Sequence, residues 1–384
     1  MTTLVACSRV PLLLGHFGGE NAGDEAILDG TCRLLDAAGI GAARVVARQD
    51  GYRPALNASC ELEVVAPSPG AVARATWNAS AVILCGGTHF YDDIPLRRRV
   101  RHYRYLARYL VVLAFARALG RPVVALGQGV GPLGHPTGRA LAWGFFRLVP
   151  VGTVRDDGSL AAARAQRAGS GWTRTVDTAF ARPHGALRAG TRRTLALAPL
   201  FGTRAAGTGV GELDQLWDAL VGGVTDAWFD LGLERIEVLA VRTGEREADI
   251  ALALRIAGKL RHVAPAAVQT FTGSVDDLID DLGSASIAVC GRYHAFVFAL
   301  FAGAVPIVLP THQKLLDTAE LVGLPEALVV REATAGAIAK ALIAATEFDP
   351  HDLAARVSEL RRKLARDEAL VTRVRRGSTG RRPS

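Results

Sequence analysis

The stretch GHFGGENAGDEAILDG, residues 15–30, places a glycine-rich loop between an apolar run and a segment with helical spacing. The apolar run LVACSRVPLLL precedes it, and EAILDGTCRLLDAAG follows it. This order predicts a strand, a loop and a helix, with Asp24 capping the first turn of the helix. Glycines at 15, 18, 19 and 23 would let a ligand approach the backbone near the unpaired amides of the helix start. A tight turn without a ligand is the alternative.

Outward from this loop, strand-like runs alternate with helical runs along the whole chain. That order predicts an α/β protein with parallel sheets covered by helices, in two Rossmann-like domains that face a cleft. The predicted domains are 1–185 and 190–346, with PHGALRAGTRR near 183–193 as the linker. Residues 347–384 are predicted to hold a C-terminal helix and a basic, disordered tail, RVRRGSTGRRPS.

Composition excludes several classes of protein. The 384 residues are 49% hydrophobic, yet no uncharged apolar run is long enough to span a membrane, and no signal peptide is recognisable. Five scattered cysteines predict reduced thiols in a cytoplasmic protein and no zinc site. The net charge of +8 favours anionic partners such as phosphates, acidic glycans or a membrane surface. No nucleic-acid recognition motif accompanies that charge, so nucleic acid is not an expected partner.

Glycine, arginine and histidine concentrate in loops that directly follow apolar strands. Ligands of open parallel sheets bind at the carboxyl ends of strands, so these loops predict a binding site. The loops, in chain order, are GHFGGENAGD, CGGTHFYDD, GQGVGP, VRDDGS and CGRYHAF.

Taken together with VDTAF, Lys314 and LVGLP, these motifs resemble the polysaccharide pyruvyl transferase family over residues 10–325. The resemblance implies an architecture similar to glycosyltransferase-B. It also implies transfer of a pyruvyl group from phosphoenolpyruvate to sugar hydroxyls, leaving a cyclic ketal and phosphate. No cofactor or metal is expected, because phosphoenolpyruvate is the co-substrate and no metal-ligand cluster is visible. The acceptor stays open between a glycan polymer, a lipid-linked unit and a small natural product.

Phosphoenolpyruvate carries a carboxylate and a phosphate, so its site needs two cationic anchors, and Arg292 and Arg155 are the candidates. The alternative for Arg292 is a structural ion pair, and for Arg155 retention by a neighbouring aspartate. His294, two residues beyond Arg292, is the candidate general acid/base, because imidazole changes protonation near neutral pH. A hydrogen-bonded core histidine is its alternative.

Further contacts are predicted from the other loops. His89 and Asp92 would orient or activate the acceptor hydroxyl, with Asp92 counted as catalytic; the Thr-His and Asp-Asp pairs here depart from the commoner family form. Lys314 is expected near the cleft mouth, with a surface lysine as the alternative. Asp177 matches a family position or forms a turn. The remaining substrate-binding candidates are Asn21, Gly18, Gly19, Gln128, Gly129 and Gly131.

One long predicted helix carries a row of arginines at 97, 101, 104 and 108. This row is either a solvated face or a contact with an anionic membrane or a lipid-linked acceptor.

Two other functions compete with pyruvyl transfer. A nucleotide-sugar glycosyltransferase would need a diphosphate-binding segment, for which PLFGTRAAGTGVG at 199–211 is the candidate. A non-catalytic binding module could also keep the fold, although retention of Arg292 and His294 argues against it.

Overall fold

The computed structural model describes residues 9–183, 193–200, 210–244, 249–349 and 351–379. The chain forms two compact units. The first unit comprises Met1–Gly19, Asp24–Arg182 and Arg361–Ser384, and the second comprises Glu20–Gly23 and Pro183–Leu360.

The described part of the first unit contains one eight-stranded parallel sheet. Its strands run in the order β3-β2-β1-β4-β6-β7-β8, and β5 pairs with β6 beside this path. The central strands are continuous apolar runs because both faces of a parallel sheet are covered by helices. The strands are β1 (Leu12–Leu14), β2 (Ala42–Val46), β3 (Glu61–Val65), β4 (Val82–Leu84), β5 (Gly87–Phe90), β6 (Val123–Val130), β7 (Val151–Val154) and β8 (Trp172–Arg174).

Helices of the first unit follow the strands in βα order. They are α1 (Ala22–Ala37), α2 (Pro69–Trp77), α3 (Leu96–Ala118), α4 (Pro136–Leu148) and α5 (Asp157–Ala165). One core joins the sheet to α2, α3 and α4, and at its centre the Phe90 and Phe145 rings stack with centroids 4.3 Å apart. A 3-10 helix, Thr178–Ala181, closes this part of the unit.

The second unit has, within its described residues, a five-stranded parallel sheet of order β11-β10-β9-β12-β13. Its strands are β9 (Thr194–Ala198), β10 (Arg235–Ala240), β11 (Ala266–Thr270), β12 (Ala285–Cys290) and β13 (Val305–Val308). Its helices are α6 (Val210–Ala227), α7 (Ile250–Leu260), α8 (Val275–Leu282), α9 (Tyr293–Ala302), α10 (Gln313–Leu321) and α11 (Ala335–Thr346). All residues of helix α9 except His294 are buried, which explains why its sequence is mostly apolar rather than amphipathic.

The C-terminal residues return to the first unit. Helix α12 (His351–Lys363) contains the change of unit at Leu360, and α13 (Ala365–Thr379) belongs to the first unit. The predicted disordered tail differs from the structure, because its first seven residues are the end of α13. Val371 and Val374 are buried there, and Arg375 donates to the Ala38 carbonyl at 2.8 Å.

Two further predictions concern the glycine-rich loop and the linker. Helix α1 begins at Ala22, so Asp24 lies in its first turn and not at the cap. The Asn21 side chain takes that position and accepts from the Gly23 amide at 3.3 Å. Residues 184–192 of the predicted linker and 201–209 of the segment at 199–211 lie outside the described residues.

No helix in the described ranges combines the length and the apolar character that crossing a membrane requires.

Candidate functional site

Arg292 and His294 lie where β12 ends and α9 begins. Arg292 immediately precedes the helix, and His294 is its second residue. Gly291 fixes this turn, because its amide donates to the Ala198 carbonyl at 2.9 Å and its carbonyl accepts from the Thr311 hydroxyl at 2.7 Å. Both predicted donor residues therefore lie at the carboxyl end of a buried parallel strand, beside the electropositive start of a helix.

A buried carboxylate, Asp249, holds Arg292. The Asp249 side chain is fully buried and accepts a hydrogen bond from one terminal nitrogen of the guanidinium, which itself is 15% exposed. The other Asp249 oxygen accepts from the Arg242 amide at 3.1 Å. Among the described residues, the buried Nε of Arg292 has no hydrogen-bond partner. The ion pair foreseen as an alternative is present, and the role of Arg292 in binding an anion stays a prediction.

The segment Glu20–Gly23 of the glycine-rich loop packs within the second unit. Asn21 forms an antiparallel bridge with Arg242, and the Ala22 amide donates to the Val241 carbonyl at 3.2 Å. This pairing extends the second sheet beyond the carboxyl end of β10.

The same segment brings Gly23 against His294. A Cβ on residue 23 would fall 2.1 Å from the His294 Nδ1, so only glycine fits. The sequence predicted that a ligand approaches the backbone at this glycine; in the structure the group that approaches it is the His294 side chain. Asn21 and His294 were predicted as site residues from motifs far apart in the sequence, and both lie in the second unit.

Lys314 lies at the start of α10, with its ammonium 5.7 Å from the centre of the Tyr293 ring. Tyr293 in turn meets His294 edge to face, with ring centroids 4.9 Å apart. A cation over an aromatic face is held in place electrostatically. The second unit thus combines Lys314, Arg292 and His294 around one helix start.

In the first unit, Arg155 is buried and engaged by other residues. Its guanidinium forms an ion pair with Asp177 at 2.8 Å, donates to the Thr88 hydroxyl at 2.5 Å, and lies 3.5 Å from Asp156. A Cβ on Gly129 would lie 2.8 Å from the same guanidinium, so this glycine makes room for Arg155. The alternative of retention by aspartates accounts for this geometry, and the ligand role of Arg155 stays a prediction.

His89 and Gln128 form a buried pair. The His89 Nδ1 lies 3.1 Å from the Gln128 Oε1, and burial lowers the pKa of His89 to about 4. The imidazole is therefore neutral at neutral pH. The Gln128 amide nitrogen lies within hydrogen-bond distance of three carbonyls, those of Leu84, Cys85 and Leu126. These contacts tie the end of β4 to the middle of β6, and the predicted ligand contacts of both side chains stay untested.

Asp92 organises the loop before α4. One carboxylate oxygen accepts from the Gly134 amide at 2.7 Å, and the other accepts from the His135 amide at 2.9 Å and the Tyr103 hydroxyl at 3.3 Å. The side chain is 1% exposed. This geometry describes a structural role for Asp92, whose catalytic role stays a prediction. Gly131, in the same loop, has a φ of 90°, a conformation that glycine adopts without strain.

The loop after β1 is held from inside the first unit. Gly18, with a φ of 75°, donates its amide to the Glu25 carboxylate at 3.1 Å, and the Tyr52 hydroxyl donates to the same carboxylate. Burial raises the pKa of Glu25. A Cβ on Gly19 would lie 3.2 Å from the Arg48 guanidinium. The glycines here permit close packing of protein groups, and their predicted contact with substrate stays untested.

Sequence reasoning missed Asp249 and a group of aromatic residues. His16 lies between His89 and Tyr105, with ring centroids 5.1 and 4.8 Å away, and the Tyr109 hydroxyl donates to the Gly15 carbonyl at 2.8 Å. No local motif marks Asp249 or these tyrosines. The only available signal for the tyrosines was their spacing of four residues on one helix.

No cluster of three or more histidine, cysteine, aspartate or glutamate side chains that could hold a metal ion occurs in the described ranges.

Solved structures show which fold the chain has. HepE from Anabaena, crystallised with UDP and glucose, has a TM-score of 0.59 at 12% identity and covers 95% of this chain and 97% of its own. A trehalose-6-phosphate synthase from Burkholderia multivorans has a TM-score of 0.54 at 12% identity, covering 97% and 98%. These neighbours have the glycosyltransferase-B architecture, so the predicted fold class is confirmed.

The family follows from the sequence itself. Residues 21–313 match the polysaccharide pyruvyl transferase family, and the chain belongs to that family of transferases. The predicted resemblance is thereby confirmed. Comparison with curated proteins finds no match.

Proposed function

We propose that this protein transfers a pyruvyl group from phosphoenolpyruvate to two hydroxyls of a sugar or glycan, forming a cyclic ketal and releasing phosphate. The observation that carries the proposal is the helix start of α9, where Arg292 and His294 are held together with Lys314 in a member of this family. Three positively charged or proton-carrying groups at one helix start suit a small donor that carries both a carboxylate and a phosphate.

Arg292 binds an anionic group of the donor in this proposal. Asp249 accepts a hydrogen bond from one terminal nitrogen of the guanidinium. This bond fixes the orientation of the guanidinium before the donor binds. The buried Nε–H then pairs with a carboxylate or phosphate oxygen at a desolvated position, where such a bond is strong. Asp249 supplies the charged partner of Arg292 when no donor is bound.

His294 moves the proton in this proposal. Protonation of the methylene carbon of phosphoenolpyruvate by the imidazolium makes the neighbouring carbon electron-poor, and the first sugar hydroxyl attacks that carbon. Phosphate leaves with its bridging oxygen, and the second hydroxyl attacks the same carbon to close the ketal. The two hydroxyl protons are released, one of them to the imidazole that gave its proton at the start.

The experiment incubates the protein with phosphoenolpyruvate and a panel of glycans, and measures phosphate release together with the mass of the product. Pyruvyl transfer predicts phosphate release that depends on the glycan and a ketal-bearing product. His294→Gln and Arg292→Gln are the matched inactive variants, and Arg255→Gln on the exposed surface of α7 is the control. Consumption of a nucleotide sugar in place of phosphoenolpyruvate would instead identify a glycosyltransferase.

A further inference from the structure

Helices α3 and α4 of the first unit carry an exposed surface that the proposed chemistry does not use. On α3, Leu96 is 69% exposed, Val100 49% and Val111 68%, and on α4 Trp143 is 48% exposed. The exposed arginines are Arg97, Arg101, Arg104 and Arg108 on α3, with Arg139 and Arg147 on α4. We call these ten side chains the basic–apolar face.

Helix geometry places the two kinds of side chain in adjacent rows on α3. At about 100° per residue, Leu96, Val100 and Val111 fall in one sector of roughly 60°, and the four arginines fall in the next. The buried residues Leu106 and Leu113 point to the opposite side of the helix. The solvent-facing half of α3 is therefore divided lengthwise into an apolar row and a basic row.

Helix α4 continues the face. It packs beside α3, where a Cβ on Gly144 would lie 3.5 Å from Leu110. Its exposed Trp143 has the Arg147 guanidinium 5.9 Å from the ring centre. Tryptophan and arginine side chains with an apolar body and a polar end are suited to the boundary between water and lipid.

The charge of this region is entirely of one sign. Between Asp93 and Asp156 the sequence contains eleven arginines and no aspartate, glutamate or lysine. Juxtamembrane basic residues each contribute about 1 kcal/mol of attraction to an anionic bilayer surface. Neither α3 nor α4 has an acidic residue in its sequence that would oppose this attraction.

We propose that the basic–apolar face docks the protein on the surface of an anionic phospholipid bilayer. The arginines pair with lipid phosphates, while Leu96, Val100, Val111 and Trp143 enter the boundary of the acyl chains. A nucleic acid would use the arginines but leave the apolar row in water. A second copy of this chain would bring arginines against arginines.

The experiment measures co-sedimentation of the full chain with vesicles at low salt. The vesicles contain phosphatidylcholine alone or a mixture with about one-third phosphatidylglycerol. The Arg101→Glu/Arg104→Glu variant tests charge, and the Leu96→Ser/Val111→Ser variant tests the apolar row. Arg261→Glu/Lys340→Glu, on exposed positions of the second unit, changes the net charge equally and is the control.

We expect the wild type to bind the anionic vesicles and not the neutral ones. Both test variants should lose affinity by at least about tenfold, the control should bind like the wild type, and added salt should weaken the remaining binding. A thermal unfolding transition like that of the wild type, measured without ligand, would show that each variant is folded, so the test does not depend on the proposed function.

Several results would overturn the proposal. They are absence of wild-type binding to anionic vesicles, equal loss in the control variant, and unchanged binding of the serine variant. A serine variant that instead turns a dimer into a monomer, with no vesicle binding by the wild type, would assign the face to a second copy. Competition by single-stranded DNA together with unchanged binding of the serine variant would assign it to a general polyanion.

Discussion

Asp249 gives Arg292 a charged partner in the absence of donor, and this has an energetic consequence. A largely buried guanidinium without a partner is costly, so removal of the carboxylate leaves an uncompensated charge. An anionic ligand that binds Arg292 would supply the missing negative charge. The strength of the ion pair and the affinity for the donor are therefore linked.

We expect Asp249→Asn to lower the free energy of unfolding by about 3 kcal/mol without ligand, the usual result of breaking a buried pair. Phosphoenolpyruvate should then raise the melting temperature of this variant more than that of the wild type. Asp214→Asn is the matched control, because the Asp214–Arg255 pair is about half exposed on each side. That control should cost less than about 1 kcal/mol. An equal or smaller ligand effect on Asp249→Asn would remove Arg292 from the donor site.

Gly23 tests whether the position of His294 matters for turnover. An alanine Cβ at this residue would overlap the imidazole, so Gly23→Ala should displace His294 while Arg292 stays in place. We expect donor binding to remain and turnover to fall by roughly 10²-fold, the lower end for a misplaced general acid/base. Gly336→Ala, with nothing within 4 Å of the added Cβ, is the control. Turnover at the wild-type rate in Gly23→Ala would leave His294 as a structural residue.

At the scale of elements, the end of α13, residues 373–379, is the part that local sequence patterns did not predict as helix. Only two of its valines are buried near its end, and its remaining residues there are polar, so the apolar periodicity is too weak to distinguish a helix from a tail. Its position depends on contacts distant in sequence. The Thr153 hydroxyl donates to the Asp367 carboxylate across 214 residues.

The ionisation of Asp367 makes the docking of α13 dependent on pH. Burial raises the pKa of Asp367 from 3.8 to about 6, so the folded chain binds more protons than the unfolded chain between those values. The contribution of Asp367 to stability is therefore full below pH 3.8 and is lost as the pH rises through about 6.

Asp367→Asn keeps an oxygen that accepts from Thr153 but cannot ionise. We expect this variant to be more stable than the wild type at pH 7 by on the order of 2 kcal/mol, with the advantage disappearing near pH 4. Urea unfolding of both proteins at several pH values measures the difference. A difference between the two proteins that does not change with pH would show that Asp367 does not titrate in this window.

At the scale of the whole molecule, the sequence predicted the features that depend on apolar runs and on the loops at strand ends. The central parallel strands are nearly continuous apolar runs, so the two βα halves could be predicted, and the motifs in the loops after the strands indicated the family. Arg292 and His294 followed from one short motif. The assignment of Glu20–Gly23 to the second unit and of 361–384 to the first was not accessible, because neither depends on local pattern. Asp249 was missed for the same reason.

The return of the chain to the first unit predicts how that unit responds to truncation. Ending the chain after Leu360 removes α13, and with it the contacts of Asp367 to Thr153 and of Arg375 to the Ala38 carbonyl. The Thr153 hydroxyl also accepts from the Gly127 amide of β6 at 2.7 Å. Losing the Asp367 contact therefore weakens the support of the β6 backbone as well. Loss of the buried Val371 and Val374 side chains removes an apolar contribution of a few kcal/mol.

We expect amide hydrogen exchange in β6 and β7 to become faster in this truncated chain, while exchange in β9 and β12 of the second unit stays slow. Ending the chain after Thr379 removes only residues 380–384 and is the matched control, which should behave like the full chain. If protection in β6 and β7 survives loss of α13, the first unit is stable without its C-terminal segment. The expectation rests on the rule that local opening follows the contacts holding each element, so the affected strands should be those that α13 touches.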